Sequence, residues 1–342
     1  MEYLSLHENH FEGPFSFSSL ANHSKLWYFK LSGRSNTGNI QVETEELPEW
    51  QPTFQLEILS LPSCNLNGQT ASKIPNFLLS QHKLKYLDLA HNHLVGPFPF
   101  WLLQNNSKLE HLDLSNNSLT GLFQLSTSNH NLRLLEISSN LLSGELPTHL
   151  GLLLPQVEHF NISRNSFEGN LPPSMEQMRS LRQLDVSNNK FSGDLQISMF
   201  NKRSVEFLLL ANNNFSGSIE DGLENITWLL ALDVSNNSIS GKIPSWIGSL
   251  MLLQYVQMSR NYFAGELPIE ICSLPRLIIL DVSQNQLVGE LPSTCFNSSS
   301  LVYLYMQKNR LSGAIPHVLL SKASVLKILD LSYNFFSGHI PK

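Results

Sequence analysis

The stretch LEHLDLSNNSLTG (residues 109–121) decides the fold, because close copies of it recur along the whole chain. One later copy is LRQLDVSNNKFSGDL (residues 181–195), and most neighbouring copies are 24 or 25 residues apart. The glycine that ends the stretch accounts for 14 of the 18 glycines of the chain: Gly13, Gly38, Gly68, Gly96, Gly121, Gly144, Gly169, Gly193, Gly217, Gly241, Gly265, Gly289, Gly313 and Gly338. A period of this length predicts a solenoid, in which each unit buries its apolar side against the next copy.

The repeat divides into columns, counted from repeat starts at residues 1, 26, 56, 84, 109, 132, 157, 181, 205, 229, 253, 277, 301 and 326. Columns four and six are apolar, as in Leu112 and Leu114, and polar residues stand between them. This alternation predicts a short strand with one face buried, and copies of it must stack in parallel at about 4.8 Å per repeat. We expect one domain of about 14 repeats over residues 1–342: an α/β-type solenoid with a parallel β-sheet on its concave face and an irregular or 3₁₀ convex side.

Column nine is asparagine in twelve of the fourteen repeats. An apolar interior admits an amide only when its donors and its acceptor are satisfied, so these side chains are predicted to hydrogen-bond backbone groups where each strand ends. The exceptions are Arg34 and Cys64. Cysteine is small and tolerates burial, whereas arginine is large and charged and does not. Because Arg34 belongs to the second repeat, that repeat should be locally irregular.

The second half of each repeat has the column-thirteen glycine, an apolar column fifteen and often a proline at column sixteen. Glycine permits an unusual φ and close packing, and proline begins a less regular return segment with at most a short helical or 3₁₀ turn. The second repeat (residues 26–55) is irregular and carries a short insertion with Glu43, Glu45 and Glu46. We expect this insertion to form a protruding loop, which is a common place for binding residues.

These strings, with LSGAIP (residues 311–316), resemble the plant-specific leucine-rich repeat over essentially the whole chain. Residues 42–66 and 267–297 resemble segments of plant receptor-like proteins, which have a repeat ectodomain, a membrane span and no kinase. The resemblance implies a superhelix that perceives a peptide or protein ligand at the extracellular side of the plasma membrane. In defence or development, it would signal through a kinase-bearing co-receptor.

The chain departs from that family's plan in ways that leave two alternatives open. It contains no apolar run of 18 residues, and its start, MEYLSLHENH, lacks the character of a signal peptide. We therefore interpret it as an ectodomain portion truncated at both ends, so that membrane attachment would need a span missing from this chain. The alternatives are a secreted leucine-rich-repeat inhibitor of a cell-wall-degrading enzyme and a truncated, non-functional remnant.

Composition and motifs favour a non-catalytic protein without a cofactor. The sequence has no kinase motif set, GxSxG turn, HExxH pair or phosphate loop. No cysteine or histidine pair has metal-ligand spacing, so no metal is expected. The formal net charge is −6 and the basic residues are dispersed, so we expect neither nucleic acid nor an anionic membrane as a partner.

Two covalent features suit an extracellular chain. Cys272 and Cys295 occupy columns 20 and 19 of consecutive repeats, so we predict a disulfide between them, with two buried thiols as the alternative. Eight N-x-[ST] sequons predict glycosylation sites at Asn22, Asn105, Asn116, Asn161, Asn214, Asn225, Asn236 and Asn297.

The solvent side of the strands comprises columns two, three, five, seven and eight, and column five is usually aspartate. We interpret that acidic column as a solubilising face. In repeats nine, eleven and thirteen, Leu209, Gln257 and Tyr305 replace the aspartate. With their neighbours they predict a partly apolar patch for a ligand or co-receptor. The patch consists of Phe207, Leu209, Tyr255, Gln257, Arg260, Tyr303, Tyr305 and Lys308.

Overall fold

The computed structural model confirms the predicted solenoid of parallel strands with short helical turns. It describes residues 1–33, 40–45, 52–69, 71–125, 130–200, 204–219, 226–292, 300–321 and 325–340. The chain divides into two compact units. The first unit is Met1–Glu168 with Gln177–Leu181, and the second is Gly169–Glu176 with Arg182–Lys342. That the whole chain is one domain stays a prediction.

The first unit is built on a parallel sheet whose strands occupy columns three to five. Its strands are Tyr3–Ser5, Tyr28–Lys30, Ile58–Ser60, Tyr86–Asp88, His111–Asp113, Leu134–Glu136 and His159–Asn161. They pair without slippage, so Leu87 lies beside Leu112 and Leu112 beside Leu135. All three of these column-four side chains are fully buried. The period-two pattern therefore forms the core, as predicted.

The second unit repeats this arrangement with its own set of strands. They are Gln183–Asp185, Phe207–Leu209, Ala231–Asp233, Tyr255–Gln257, Ile279–Asp281, Tyr303–Tyr305 and Ile328–Asp330. Column four is again buried, as at Leu208, Leu232 and Val256. Residues in the same column are direct partners on adjacent strands, so each column forms a row across the sheet.

A second set of parallel strands follows most of the turns, and the sequence pattern did not predict these strands. In the first unit these strands are Val95–Pro97, Ser118–Leu122, Leu141–Glu145 and Ser166–Gly169. In the second unit they are Lys190–Asp194, Asn214–Ser216, Ser240–Lys242, Tyr262–Glu266, Gln286–Glu290, Arg310–Ala314 and Phe335–Ser337. The column-thirteen glycine lies in these strands at positive φ, for example +85° at Gly289. The positive φ confirms the first predicted reason for glycine. Close packing holds only in some repeats, since a Cβ would lie 2.8 Å from Glu266 Cγ at Gly289 but would meet nothing within 4 Å at Gly96 or Gly121.

The return segments contain short helices that carry the chain back to the next strand, as predicted. The 3₁₀ helices are Phe17–Leu20, Asn76–Ser80, Pro173–Gln177, Ile197–Phe200, Ser245–Ser249 and Ile269–Ser273. The α-helices are Phe100–Asn105, Leu150–Leu153 and Val318–Ser321. Each is too short to be stable by itself, so its buried apolar residues hold it in place.

The asparagine column hydrogen-bonds the backbone of two successive repeats. Asn117 Oδ1 accepts hydrogen bonds from the amides of Asn92 (3.1 Å) and Leu94 (2.9 Å) in the preceding repeat. Its Nδ2 donates to the carbonyl of Leu89 in that repeat and to that of Leu114 in its own, each at 3.0 Å. Similar bonds are made by Asn92, Asn140, Asn165, Asn213, Asn237, Asn261, Asn285, Asn309 and Asn334. The predicted ladder is confirmed.

The exception at Cys64 preserves part of this pattern. The Cys64 thiol donates to the carbonyls of Leu31 and Pro62, both at 3.4 Å, and its backbone amide donates to Asn92 Oδ1. Burial raises the thiol pKa to about 12, so the group stays a neutral donor. The other exception, Arg34, lies outside the described residues.

The prediction of a protruding loop in the second repeat is wrong for residues 40–45. Ile40–Glu43 forms a strand that pairs in parallel with Gly13–Ser16. Ile40 and Val42 are buried between neighbouring segments, at 4% and 0% exposure. The insertion therefore adds a strand to the fold, because its alternating apolar residues have an unpaired strand to meet.

The acidic residues of this insertion have structural partners. Glu43 is 2% exposed, and its Oε1 accepts a hydrogen bond from the amide of Gln69 at 3.0 Å. Glu45 accepts from the backbone and side-chain nitrogens of Asn76. Glu46 lies outside the described residues. Glu43 and Glu45 thus hold the next repeat, which explains carboxylates within an otherwise apolar insertion.

Replacing Asn117 by alanine should lower the free energy of unfolding by about 2–4 kcal/mol, because several buried backbone groups lose their partner. Urea unfolding followed by circular dichroism measures this. Asn214→Ala, which removes an exposed asparagine, is the control and should change stability by less than about 0.5 kcal/mol. Equal losses in the two variants would contradict the ladder's structural role.

Candidate functional site

The candidate site is the strand face of the second unit, defined as columns two, three, five, seven and eight of repeats eight to fourteen. The register places column three in one row across the sheet: Gln183, Phe207, Ala231, Tyr255, Ile279, Tyr303 and Ile328. Column five forms the next row: Asp185, Leu209, Asp233, Gln257, Asp281, Tyr305 and Asp330.

All eight residues of the predicted patch lie on this face. Tyr255 is 37% exposed, and Tyr303 and Tyr305 are half-buried. Arg260 and Lys308 are exposed at the turn that ends each strand, with φ of 54° and 57°. Asparagine accepts this left-handed conformation more readily than arginine or lysine, so both positions carry a small backbone cost.

The aromatic rings of the patch are separated, as their positions in repeats nine, eleven and thirteen imply. Ala231 stands between Phe207 and Tyr255, and Ile279 stands between Tyr255 and Tyr303. Within the described part of the chain, no ring contact joins these three aromatic residues. The surface consists of aromatic ridges that alternate with smaller aliphatic residues.

The apolar surface is also wider than predicted. Column two, which is charged at Arg182 and Glu206, becomes largely apolar in repeats ten to thirteen at Leu230, Ile278 and Val302. All three are half-exposed beside the column-three row. The signal in the sequence is the loss of charge in column two, which is weaker than the aromatic residues of column three.

The aspartates of column five have a structural role that the solubilising interpretation missed. In each case Oδ1 accepts a hydrogen bond from the column-seven amide, which closes the turn after the strand. For Asp233 the donor is Ser235 N at 2.9 Å, and for Asp281 it is Ser283 N at 3.0 Å. The same bond is made by Asp88, Asp113, Glu136, Asn161, Asp185 and Asp330. The acidic column therefore caps turns as well as facing solvent.

Repeats nine, eleven and thirteen give up this cap. Leu209 and Tyr305 have no suitable acceptor. Gln257 does not accept from Ser259 N, although Glu136, a side chain of the same length, accepts from Ser138 N through Oε1 at 3.2 Å. Among the described residues, the column-seven amides of Ala211, Ser259 and Gln307 have no hydrogen-bond partner. An unmade backbone hydrogen bond costs free energy even when water reaches it in part. Leu209, Gln257 and Tyr305 thus each reduce the free energy of unfolding locally, and all three lie in the predicted patch.

Two further features concern the polar groups of this face. The Gln307 Oε1 atom is buried and lacks a hydrogen-bond partner in the described structure. Lys308 Nζ lies 5.9 Å from the centre of the Tyr333 ring, and neither Arg260 nor Lys308 forms an ion pair with a described carboxylate. A bound partner would find two cations here that form no ion pair with a described carboxylate.

Burial affects the electrostatics of the acidic row. Desolvation raises the pKa of Asp233 above its ordinary value, and the like charges of Asp185 and Asp281 add to the effect. Hydrogen bonds from Ser235 oppose it. The ionised Asp233 is therefore poorly solvated in the free protein.

The strand face of the first unit carries a different cluster of aromatic residues. Tyr3 stacks on Tyr28, and Tyr86 stacks on His111, each pair with ring centres 4.0 Å apart. Lys30 Nζ lies 4.8 Å from the Tyr86 ring and 5.7 Å from the Tyr28 ring. These rings stack on one another, so their faces are less available to a ligand.

The predicted glycosylation sites differ in accessibility. Asn22, Asn116, Asn214 and Asn236 are exposed, and Asn105 is half-buried. Asn161 is half-buried and fully engaged, since Oδ1 accepts from Ser163 N and Nδ2 donates to Glu136 at 2.9 Å. Asn225 and Asn297 lie outside the described residues. Glycosylation at all eight sites stays a prediction.

Only one of the two cysteines of the predicted disulfide lies among the described residues. Cys272 is 6% exposed at the return side and is disulfide-bonded. Cys295 lies outside the described residues, so the pairing stays a prediction. In the part of the chain that is described, no cluster of side chains is suited to a metal ion, and no helix is long and apolar enough to span a membrane.

Comparison with known proteins agrees with this architecture. The Leucine Rich Repeat family matches residues 83–105, 108–129, 156–178, 180–201, 228–250 and 325–342. Receptor-like protein 1 of Arabidopsis thaliana is 48% identical over 107 residues, which are 31% of this chain and 9% of that protein. Receptor-like protein 13 of the same plant is 40% identical over 175 residues, or 51% of this chain and 15% of that protein.

The solved structures include the plant peptide hormone receptor RGFR1 in complex with RGF2. It superposes with a TM-score of 0.76 and 29% identity, over 98% of this chain and 60% of that one. The chain is built of leucine-rich repeats, and in the matched segments it is similar to plant receptor-like proteins. It spans 9% and 15% of the length of these two curated relatives.

For this leucine-rich-repeat chain, Gln257→Asn should raise the free energy of unfolding by about 0.5–1 kcal/mol, because the shorter amide can accept from Ser259 N. The reverse change, Asn161→Gln, should lower it by a similar amount. Chemical denaturation of both variants measures the effect. If Gln257→Asn leaves the free energy of unfolding unchanged while Asn161→Gln lowers it, the missing turn hydrogen bond in repeat eleven does not reduce stability, and the expectation is wrong.

Asp233→Asn should stabilise the protein at pH 7, and the gain should shrink as the pH falls. The folded-state pKa of Asp233 is raised above the ordinary 3.8, so protonation favours the folded wild-type chain. That contribution is present below pH 3.8 and is lost as the pH rises through the folded pKa. Asparagine keeps the Oδ1 acceptor, as Asn161 does. Unfolding curves at pH 4 and pH 7 test this, and a pH-independent difference would contradict it.

Proposed function

We propose that this chain is a non-catalytic recognition module that binds a peptide or protein ligand on the strand face of the second unit. The observation that carries the proposal is the loss of the turn cap at Leu209, Gln257 and Tyr305. Three alternate repeats replace a stabilising acid with larger or apolar side chains beside Phe207 and Tyr255. A surface that gives up stability at a regular interval fits selection for binding.

The composition of this surface supports the proposal. Tyrosine and arginine contribute strongly to interfaces, because they offer large contact areas and directional hydrogen bonds. Tyr255, Tyr303 and Tyr305 provide the apolar area, and Arg260 and Lys308 provide unpaired charges at its edge. The likeness to a peptide hormone receptor agrees with a peptide ligand.

We further propose that the chain acts at the extracellular side of the plasma membrane in defence or developmental signalling. Its partners would be the ligand and a kinase-bearing co-receptor, as the receptor-like class implies. The resemblance to Arabidopsis receptor-like proteins supports this assignment. The exposed sequons on the described surface suit the same compartment, because N-linked glycans are added to secreted chains.

Replacing Tyr255, Tyr303 and Tyr305 together by alanine should abolish ligand binding without unfolding the chain. Peptides are selected from a displayed library of random 12-residue sequences on the purified protein, and their Kd values are measured by calorimetry. We expect the triple variant to lose at least about 100-fold in affinity, because three anchors of about 1 kcal/mol or more each are removed.

The matched control is the double variant Trp228→Ala and Tyr262→Ala, which removes aromatic residues of the same unit that are 58% and 55% exposed and lie off the strand face. It should bind as the wild type does. Circular dichroism checks that both variants stay folded. Selected peptides that bind the triple variant as tightly as the wild type would refute the proposed surface.

A further inference from the structure

We infer that the strand face of the second unit takes a polyproline II segment with a basic residue at every third position. This inference rests on the proposed function and specifies the conformation and charge of the ligand. It follows from a two-repeat alternation across the face, from the distance that this alternation sets, and from the free oxygen atoms of the aspartate row.

The face alternates with a period of two repeats. Odd repeats carry an aromatic residue in column three and a non-acidic residue in column five. These pairs are Phe207 with Leu209, Tyr255 with Gln257, and Tyr303 with Tyr305. Even repeats pair a small or aliphatic residue with aspartate: Ala231 with Asp233, Ile279 with Asp281, and Ile328 with Asp330. Asp185 continues the acidic series at the preceding even repeat.

This period corresponds to a distance that few ligand conformations share. Adjacent strands lie about 4.8 Å apart, so equivalent groups two strands apart are separated by roughly 9.6 Å. A polyproline II helix has three residues per turn and rises about 3.1 Å per residue, which gives roughly 9.3 Å per turn. An extended β ligand repeats at about 6.7 Å, and an α-helix at about 5.4 Å. Of these three conformations, polyproline II matches the two-strand distance most closely and keeps one side chain over each even repeat.

The match extends along the whole acidic row. Asp185 and Asp330 are six strands apart, or roughly 29 Å. Three turns of polyproline II span roughly 28 Å, so four side chains at every third position meet the four aspartates of the row within about 1 Å. The four aspartates are Asp185, Asp233, Asp281 and Asp330.

The column-three row supplies the apolar half of such a site. Aromatic side chains two strands apart form ridges, and Ala231 and Ile279 form the floor of the notches between them. Ala231 is 8% exposed, whereas Tyr255 beside it is 37% exposed, so the notch is clearest at Ala231. Proline-rich segments dock in aromatic-lined grooves because their preformed conformation loses little entropy on binding. One proline ring fits each notch.

The aspartates supply the charged half. Oδ1 of each accepts the turn amide, while Oδ2 has no partner among the described residues. Lysine or arginine of a ligand would pair with this second oxygen and keep the turn bond. The raised pKa of Asp233 shows that its charge is poorly solvated, and a cation relieves that cost. Arg260 and Lys308 lie three columns further on and keep the ligand's basic side chains on the aspartate side.

The test uses the acetylated and amidated peptide (Pro-Pro-Lys)₄ and the purified chain in isothermal titration calorimetry. One control peptide has the same composition with its four lysines adjacent. A second, (Gly-Ser-Lys)₄, keeps the spacing of lysines in sequence but has no polyproline II preference. We expect the regular peptide to bind at least about 10-fold more tightly than either control. Equal binding of the three peptides, or no binding of the regular one at millimolar concentration, overturns the inference.

The double variant Asp233→Asn and Asp281→Asn removes two charges and keeps both turn acceptors, as Asn161 shows. It should weaken (Pro-Pro-Lys)₄ at least about 10-fold and reduce the salt dependence of binding. The matched variant Asp113→Asn, in the first unit, should have no effect. Unchanged affinity of the double variant overturns the assignment of the basic residues to the aspartate row.

The two proposals fail separately. If library peptides bind through the three tyrosines but (Pro-Pro-Lys)₄ does not bind, the recognition function stands and the polyproline II inference is wrong. If (Pro-Pro-Lys)₄ binds and the triple tyrosine variant binds it equally well, the polyproline II inference is wrong because the aromatic row takes no part, and the library peptides alone decide the recognition function.

Discussion

The fold depends on one constraint, which is that buried backbone groups at the end of each strand must find hydrogen-bond partners. The turn after the strand exposes amides and carbonyls of two successive repeats to an apolar interior, and a single asparagine side chain satisfies both. Asn117 does so with Oδ1 toward the preceding repeat and Nδ2 toward both. Because each rung joins two repeats, the stacking register follows from the same bonds that make each turn.

That constraint explains why the surface can vary. Columns four and six form the core and column nine forms the asparagine ladder. Because the outward columns contribute to neither, their residues can change. Column five shows the balance between turn stability and surface chemistry most clearly. Aspartate or asparagine there accepts the hydrogen bond that caps the next turn, whereas Leu209, Gln257 and Tyr305 do not. The energy lost in three turns is small against the stability of a long stack, so a binding surface can be formed at local cost.

Much of the interior was predictable from the sequence, and several surface features were not. The strands, the glycines and the asparagine bonds follow from local spacing, so the expectations held. The insertion at Ile40–Glu43 was misjudged, because its strand partner lies in the first repeat and no local pattern reveals the pairing. The second set of strands was missed for a similar reason: their pairing forms only when repeats stack.

By itself, the sequence determined the repeat, the buried columns and the kind of residue that faces solvent, because each depends on spacing within one copy. Only the tertiary structure fixed the register that makes outward residues of successive repeats direct partners. In that register Ala231 pairs with both Phe207 and Tyr255, and Asp233 and Asp281 lie on either side of Gln257. The physical reason is that rows across a parallel sheet are made by register between repeats, which residues about 24 positions apart acquire only on folding.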